Sequence, residues 1–292
     1  MEAVLSMGST RGGNVADVTA LEECAQQHSA RGDYRTAGAL LRQGLRLLGP
    51  TGTRAGREHL SLWNELGMVY KYSGKFEKSE QCYRLALRHA RRCLEGRERD
   101  SFLATLYHNL GGLEHSRRRY GRGERYARKS VELRCKVSGA RGLDAASDMA
   151  ALAALLDGRG KFEESEALYG KALKIYRREY GPSHREIAVL LNNLAAVYQA
   201  TGRPTEAEAQ YRAALEMKRR ELGKSHPDVG VTLNNLGMLY RSQGKTSAAR
   251  KCFQRAVRIL DESLGSSHPN TRAVRGNLRR LGRDESGGGK NG

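Results

Sequence analysis

The feature that most constrains the fold of this chain is an internal repeat of 42 residues. Residues 184–227 contain Leu-Asn-Asn-Leu, then a glycine followed by a basic residue, and close on Leu-Gly-Lys-Ser-His-Pro. The same order of residue types returns in residues 226–269, with every matched pair of positions 42 apart. A fixed period of this length is typical of stacked helix pairs, in which each repeat packs only on its neighbours. Such a stack is first of all a surface for binding.

The period extends over most of the chain. One anchor residue follows the turn between the two helices of each repeat: Tyr34, Phe76, Tyr120, Phe162, Pro204 and Thr246. Only the step from Phe76 to Tyr120 is longer, at 44 residues. We expect the two extra residues in the connection from Glu95 to Ser101, because a surface loop accepts added length at little cost. The sequence predicts an all-α fold, a right-handed solenoid of about six antiparallel helix pairs with a carboxy-terminal capping helix.

The expected organisation is a flexible lead, the solenoid and a tail. Residues 1–14 are rich in Gly, Ser and Thr and lack helical periodicity, so we predict a flexible segment. The predicted repeats and cap are residues 15–56, 57–99, 100–141, 142–183, 184–225, 226–267 and 268–281. Residues 282–292, which contain three successive glycines, are predicted to be disordered.

Small residues mark the packing and the turns. Ten positions before each anchor comes a residue expected to be buried: Cys24, Leu66, Leu110, Leu152, Leu194 and Leu236. Extending the rule once more reaches Leu278, in the capping helix. The residue after each of the first six is Ala or Gly, which lets two helices approach closely. A glycine able to take positive φ ends five of the six first helices, whereas Arg118 replaces it in the third repeat. We therefore expect a strained or displaced turn at Arg118.

The second repeat carries the residues that suggest a family. They are Trp63, Leu66, Gly67, Tyr70, Gly74, Phe76, Ser79, Tyr83 and Ala86. Their order and spacing resemble the tetratricopeptide repeat, here in a 42-residue form similar to the repeats of kinesin light chains. The resemblance covers residues 15–281 and implies that first helices line a concave face. In the related families, the equivalent asparagines contact bound peptides. The repeat itself serves many unrelated partners.

Paired asparagines are the candidate peptide-binding residues. They occupy the two positions before the buried leucines, with Arg241 five positions beyond one of them: Asn64, Asn109, Asn192, Asn193, Asn234, Asn235, Asn277 and Arg241. An amide both donates and accepts, so a row of amides can hold the backbone of an extended peptide. The alternative is that these asparagines only bond neighbouring helices. Glu22, Glu23 and Glu65 take the same row at the amino-terminal end, so an acidic ligand segment should favour the carboxy-terminal half.

The net charge of +19 suggests a second function. An arginine-rich stretch in the third repeat, with the carboxy-terminal arginines, could bind RNA, DNA or an acidic membrane. Its candidate residues are Arg117, Arg118, Arg119, Arg122 and Arg125. The plainer interpretation is a solvated basic face. A third alternative is self-assembly through the exposed ends of the stack.

The sequence contains no pattern typical of catalysis or of cofactor binding. His184, His226 and His268 recur at the repeat period beside helix starts, which makes them linker residues rather than metal ligands. Five irregularly spaced cysteines fit a reducing compartment, and no stretch suits a signal peptide or membrane span, so we expect a cytoplasmic protein. The preferred hypothesis is a non-catalytic adaptor that binds an extended peptide or a partner helix, without metal or cofactor.

Overall fold

A computed structural model of the chain describes residues 15–50 and 56–288, with side chains described as far as residue 283. Regular structure in these residues is entirely α-helical. The helices are α1 Val15–Ala30, α2 Tyr34–Leu48, α3 Arg57–Tyr72, α4 Phe76–Cys93, α5 Gly96–Ser116, α6 Tyr120–Ser138, α7 Leu143–Asp157, α8 Phe162–Tyr180, α9 Arg185–Ala200, α10 Pro204–Leu222, α11 Pro227–Ser242, α12 Thr246–Leu264 and α13 Pro269–Gly288. The predicted flexible lead, residues 1–14, lies outside the described residues.

Consecutive helices form pairs, and the odd-numbered member is the first helix of each. A turn of three residues, or four between α7 and α8, separates the two helices of a pair. So short a turn folds the second helix back along the first, and the two pack against each other over their length. Each second helix begins at the anchor residue that the period identifies. The prediction of an all-α solenoid of antiparallel helix pairs is confirmed.

The turn inside each pair depends on one residue with positive φ. At Gly74, φ is 73°, and the following N–H, of Lys75, donates to the Tyr70 carbonyl over 2.8 Å. Arg118 has φ of 56° and is the one non-glycine residue with positive φ in the described part of the chain. The Arg119 N–H still donates to the Glu114 carbonyl over 2.8 Å. The third turn therefore keeps its shape, and Arg118 holds a left-handed conformation that a side chain disfavours.

The periodic histidines cap the first helices that follow them. The imidazole Nδ1 of His184 accepts from the Glu186 N–H over 3.3 Å. His226 and His268 accept in the same way from the N–H two residues further on, each over 3.2 Å. Because the first N–H groups of a helix have no partner within it, each ring supplies one. These histidines act as helix caps.

Close approach within a pair depends on the predicted small residues. A Cβ added at Gly67 would lie 2.5 Å from Cε1 of Tyr83, and one at Gly237 would lie 2.7 Å from Cε1 of Phe253. The Ser79 hydroxyl, fully buried, donates to the Gly67 carbonyl over 2.7 Å. Glycine thus lets an aromatic ring of the second helix lie directly on the backbone of the first.

The chain divides into two compact units, Met1–Ala140 and Arg141–Gly292, called here the amino-terminal and carboxy-terminal units. In the amino-terminal unit the first helices α1, α3 and α5 contact one another in series. The first helices α7, α9, α11 and α13 do so in the carboxy-terminal unit. Successive second helices make no comparable contacts among the described residues. Within each unit, the first helices therefore lie on the more tightly curved side of the stack.

Two predicted boundaries were wrong. The two extra residues of the third repeat do not form a loop, since only Leu94 and Glu95 separate α4 from α5, and α5 is instead longer, at 21 residues. Within the added turn, buried Asp100 pairs with Lys136 Nζ of α6 over 2.7 Å. The last helix continues past Leu281 to Gly288, because the residues after Gly282 include ordinary helix formers. Residues 289–292 lie outside the described part.

Candidate peptide-binding face

The asparagines of the carboxy-terminal unit hydrogen-bond to one another across neighbouring first helices. Asn235 on α11 donates through Nδ2 to Oδ1 of Asn192 on α9, over 3.2 Å. Asn277 on α13 donates to Oδ1 of Asn234 on α11, over 2.9 Å. All four side chains are half-buried, at the surface of the curved side. Asn192, Asn193, Asn234, Asn235 and Asn277 are called the amide row below.

Bonds within each helix join these pairs into one chain. Asn192 donates to Oδ1 of Asn193, and Asn234 to Oδ1 of Asn235, each over 3.4 Å. At the far end, Asn193 hydrogen-bonds the hydroxyl of Tyr169 on α8. The amide row therefore runs as a single series of donors and acceptors from α13 to α8, with every amide donating in the same direction.

The amide row keeps part of its hydrogen-bonding capacity. A side-chain amide has two N–H donors and a carbonyl oxygen with two lone pairs. Asn192, Asn193, Asn234 and Asn235 each use one donor and one lone pair in the row. Among the described residues, no further side chain takes up the second N–H or the second lone pair of these four amides. The row therefore braces the first helices and keeps polar groups at the surface.

The Tyr169 hydroxyl adjoins the row, and the charge of Asp157 acts on it and on Tyr211. Burial raises the pKa of Tyr169 and Tyr211, and the nearby charge of Asp157 adds to both shifts. Burial also raises the pKa of Asp157 itself. Arg241 lies on α11 seven positions after Asn234, and therefore on the same helical face about 10 Å along the axis. The spacing of 42 between the two tyrosines was the signal in the sequence that could have identified them.

The amino-terminal unit carries one amide pair and one carboxylate pair. Asn109 on α5 donates to Oδ1 of Asn64 on α3 over 2.7 Å. Glu65 is half-buried, and burial together with the charge of Glu22 raises its pKa to about 7. The predicted peptide-binding asparagines thus fall into one group in each unit.

The arginines proposed for a polyanion site are placed in two different ways. The Arg117 side chain is only 6% exposed and pairs with Glu80 over 2.5 Å, Glu77 over 3.1 Å and Glu114 over 3.3 Å. Arg122 pairs with the same Glu80 over 2.6 Å. Arg117 is therefore a buried counterion, and Arg122 is a half-buried one, while their assignment to a polyanion site remains a prediction. The side chains that remain exposed at this site are Arg118, Arg119 and Arg125.

Other basic groups, not identified from the sequence, lie on α4. Arg91 donates to the hydroxyl of Tyr107 over 2.6 Å, and Lys129 of α6 lies 5.5 Å from the centroid of the same ring. Arg88 and Arg92 are exposed beside Arg91. No carboxylate among the described residues pairs with these three arginines of α4. These arginines of α4 add to the positive charge on the second helices of the amino-terminal unit.

The described residues hold no group of three or more His, Cys, Asp or Glu side chains that could bind a metal ion. None of the described helices has the length and apolar character needed to cross a bilayer.

Stacked antiparallel helix pairs with a polar first-helix face define an α-helical repeat protein. The sequence profile described as "Tetratricopeptide repeat" matches residues 102–178, 150–220 and 186–262, and a second profile of that description matches residues 60–91. The chain belongs to the tetratricopeptide repeat family. A search of curated protein sequences finds no significant match.

Solved structures share the fold at low sequence identity. BtubC (BKLC) from P. vanneervenii is 23% identical over 87% of this chain and 92% of its own, with a TM-score of 0.59. A putative kinesin light chain with nearly identical TPR-like repeats from Podosopora anserina, in a substituted form, is 15% identical over 72% and 99%, also with a TM-score of 0.59. A Rap protein complexed with competence and sporulation factor is 13% identical over 96% and 79%, with a TM-score of 0.68.

Proposed function

We propose that this chain is a non-catalytic adaptor whose first-helix face binds an extended peptide, or a helix, of another protein. The observation that carries the proposal is the unused hydrogen-bonding capacity of the amide row. The family membership supports a role in protein interaction in general. The Rap protein of the similar structure is complexed with competence and sporulation factor, which supports ligand binding on a fold of this kind.

The spacing of the row suits an extended backbone. Neighbouring packed helices lie about 8–10 Å apart, which equals about three residues of extended chain at about 3.3 Å each. Asn192 and Asn234, on consecutive first helices, would therefore meet the peptide backbone about every third residue. Amides bond backbone groups regardless of side chain, so the row supplies affinity, and neighbouring groups such as Arg241 supply selectivity for acidic segments.

A test uses a phage library of random 12-residue peptides selected on the immobilised protein. Selected peptides should lose most of their affinity for a variant with Asn192, Asn193, Asn234 and Asn235 changed to alanine. The control changes exposed Glu163 and Glu164 on α8 to alanine and should bind normally. Circular dichroism checks that both variants remain helical. Equal capture by the two variants, or no selection by the native protein, would reject this face as a binding site.

Exposed arginines on the second helices of the amino-terminal unit support a second candidate function, polyanion binding. The residues best placed for it are Arg88 and Arg92 of α4 and Arg125 of α6. Affinity for a fluorescent 30-nucleotide single-stranded DNA should fall steeply as salt rises, because phosphate contacts release counterions. Changing Arg88 and Arg92 to glutamine should weaken binding and reduce the slope. A flat salt response rejects this function.

A further inference from the structure

Two basic side chains from different second helices contact one buried tyrosine of the amino-terminal unit. Tyr107 of α5 is 6% exposed, and its hydroxyl accepts a hydrogen bond from the Arg91 guanidinium of α4 over 2.6 Å. The Lys129 ammonium of α6 lies 5.5 Å from the centroid of the same ring, within the range of a cation–π contact. Among the described residues α4 and α6 do not pack on each other. The ring of Tyr107 is therefore where their basic side chains meet.

These three groups offer hydrogen-bond donors without acceptors. The Tyr107 oxygen accepts from Arg91, so its own O–H proton points elsewhere, and no described group accepts that proton. A guanidinium has five N–H donors and an ammonium has three. No carboxylate in the described part of the chain pairs with Arg91 or Lys129, and Glu132, exposed three positions after Lys129, pairs with neither. Positive charge and unused donors thus converge at one place.

The repeat itself does not require a hydroxyl at this position. Tyr107 lies three positions before the buried residue of its first helix. In the six repeats that position is occupied by Leu21, Trp63, Tyr107, Met149, Leu191 and Leu233. Nor do all arginines of α4 and α6 lack acidic partners, since Arg84 and Arg122 both pair with Glu80, over 2.8 and 2.6 Å. The combination at Tyr107 is particular to the third repeat.

We propose that Arg91, Lys129 and the Tyr107 hydroxyl hold one phosphate of a single-stranded nucleic acid that crosses from α4 to α6. The site rests on polyanion binding, the second candidate function. A phosphate carries negative charge on several oxygens, so it can accept from a guanidinium, a phenol and an ammonium at once. The hydroxyl belongs to a largely buried ring, and a flexible single strand reaches it more easily than the stiff backbone of a duplex.

The surroundings favour a nucleic acid over one phosphorylated side chain. Arg88 and Arg92 are exposed on α4 beside Arg91, one helical turn apart, and Arg125 is exposed on α6 one turn before Lys129. Positive charge therefore continues on both sides of Tyr107. A polymer with a phosphate on every residue can use all of it, whereas a single phosphate cannot.

The test measures binding of the fluorescent 30-nucleotide single-stranded DNA at several salt concentrations. Tyr107→Phe removes the hydroxyl and leaves the net charge unchanged. Arg91→Gln combined with Lys129→Gln removes both cations, and Arg35→Gln combined with Arg46→Gln removes the same charge from exposed positions of α2 in the same unit. Circular dichroism checks that each variant is folded. The exposed cations lie outside the core, so their variant decides the matter even if Tyr107→Phe folds poorly.

Tyr107→Phe should weaken binding about tenfold, because it removes a hydrogen bond to a charged group. Loss of Arg91 and Lys129 should weaken binding at least about tenfold more than the control pair does. It should also reduce the slope of log affinity against log salt by about 0.7, the amount expected for one phosphate of a single strand. A 30-base-pair duplex and a fluorescent peptide of ten glutamates serve as further probes, and neither should respond to Tyr107→Phe.

Equal effects of the two paired variants, or full affinity of Tyr107→Phe for the single strand, would overturn the site alone and leave a general electrostatic attraction. A duplex or glutamate peptide that binds as tightly as the single strand, with the same loss in Tyr107→Phe, would overturn the assignment to a single-stranded nucleic acid. Failure of the native protein to bind the single strand would overturn polyanion binding together with the site.

Discussion

The Asn235 side chain on α11 donates a hydrogen bond to Oδ1 of Asn192 on α9, 43 positions earlier, over 3.2 Å. This bond links two repeats through side chains at the surface rather than through the hydrophobic core. Because solenoid stability is approximately a sum of repeat terms and interface terms, such a bond contributes to an interface term. It also fixes the orientation of both amides, and thereby of the N–H and carbonyl groups that they keep at the surface.

We expect Asn192→Ala and Asn235→Ala each to lower the free energy of unfolding by roughly 1 kcal/mol, because each leaves a half-buried amide without its partner. The double variant should cost less than the sum, with a coupling of about 0.5–1 kcal/mol. Urea denaturation of the four proteins measures this. Strict additivity would mean that the bond does not form in solution.

The close approach at Gly67 gives a packing prediction. Gly67→Ala places a Cβ 2.5 Å from Cε1 of Tyr83, so the helices must separate, and we expect a loss of about 1–3 kcal/mol. Gly170→Ala on α8 is the matched control, since its Cβ meets nothing within 4 Å. That variant should gain about 0.5–1 kcal/mol from helix propensity. Thermal melts should therefore shift in opposite directions, and equal shifts would contradict the packing.

The left-handed residue Arg118 permits a stabilising change. Arg118→Gly removes the steric cost of φ at 56°, and we expect a net gain of about 0.5–1 kcal/mol after the entropy that glycine loses on folding. Arg118→Ala removes the same charge but keeps Cβ, so it should not share the gain. Calorimetric Tm values distinguish strain from charge. A similar increase in both variants would assign the effect to charge.

The raised pKa of Glu65 makes the free energy of unfolding depend on pH in a direction that can be stated. Its pKa rises from an ordinary value of 4.5 to about 7 on folding, so the folded state binds the proton more tightly. The resulting stability is fully present below about pH 4.5 and is lost as the pH rises through 7. Urea denaturation at pH 5 and pH 8 should show that the free energy of unfolding of Glu65→Gln increases relative to that of the native protein as the pH rises. Glu23→Gln should show no such change, and a constant difference for Glu65→Gln would contradict the shift.

The ion-pair cluster around Arg117 predicts a large loss on substitution. Arg117→Gln takes from the fully buried Glu114 its nearest counterion, and from Glu80 one of the three arginines that pair with it, so we expect a cost of about 3 kcal/mol. Arg125→Gln changes an exposed arginine on the same side and should stay within about 0.5 kcal/mol of the native protein. Chemical denaturation separates the two. A small loss at Arg117 would show that this arginine is part of a solvated face after all.

The sequence predicted the repeat architecture in detail because each helix pair depends on local rules. Each anchor residue marks the start of a second helix, and each turn needs one residue with positive φ. These requirements involve residues close together in the chain, so a period in the sequence reveals them. Even the exception was visible, since Arg118 stands where other repeats have glycine.

Contacts between repeats could not be derived in the same way. The pairing of Asn235 with Asn192 depends on the offset between adjacent first helices, which no local pattern specifies. The burial of Arg117 depends on Glu77 and Glu80, about forty positions earlier. In the added turn of α5, Asp100 pairs with Lys136, 36 positions later. Each is set by packing between helices distant in sequence.

The uniform direction of donation along the amide row has a consequence for selectivity. From Asn277 to Asn193, each amide donates to the next one in the row, so the two ends of the row are chemically different. The backbone of an extended peptide is itself a series of oriented N–H and C=O groups, so the peptide presents these groups differently when its chain direction is reversed. For the peptide proposed to bind there, the row therefore favours one chain direction, and a peptide synthesised in reverse order is expected to bind differently.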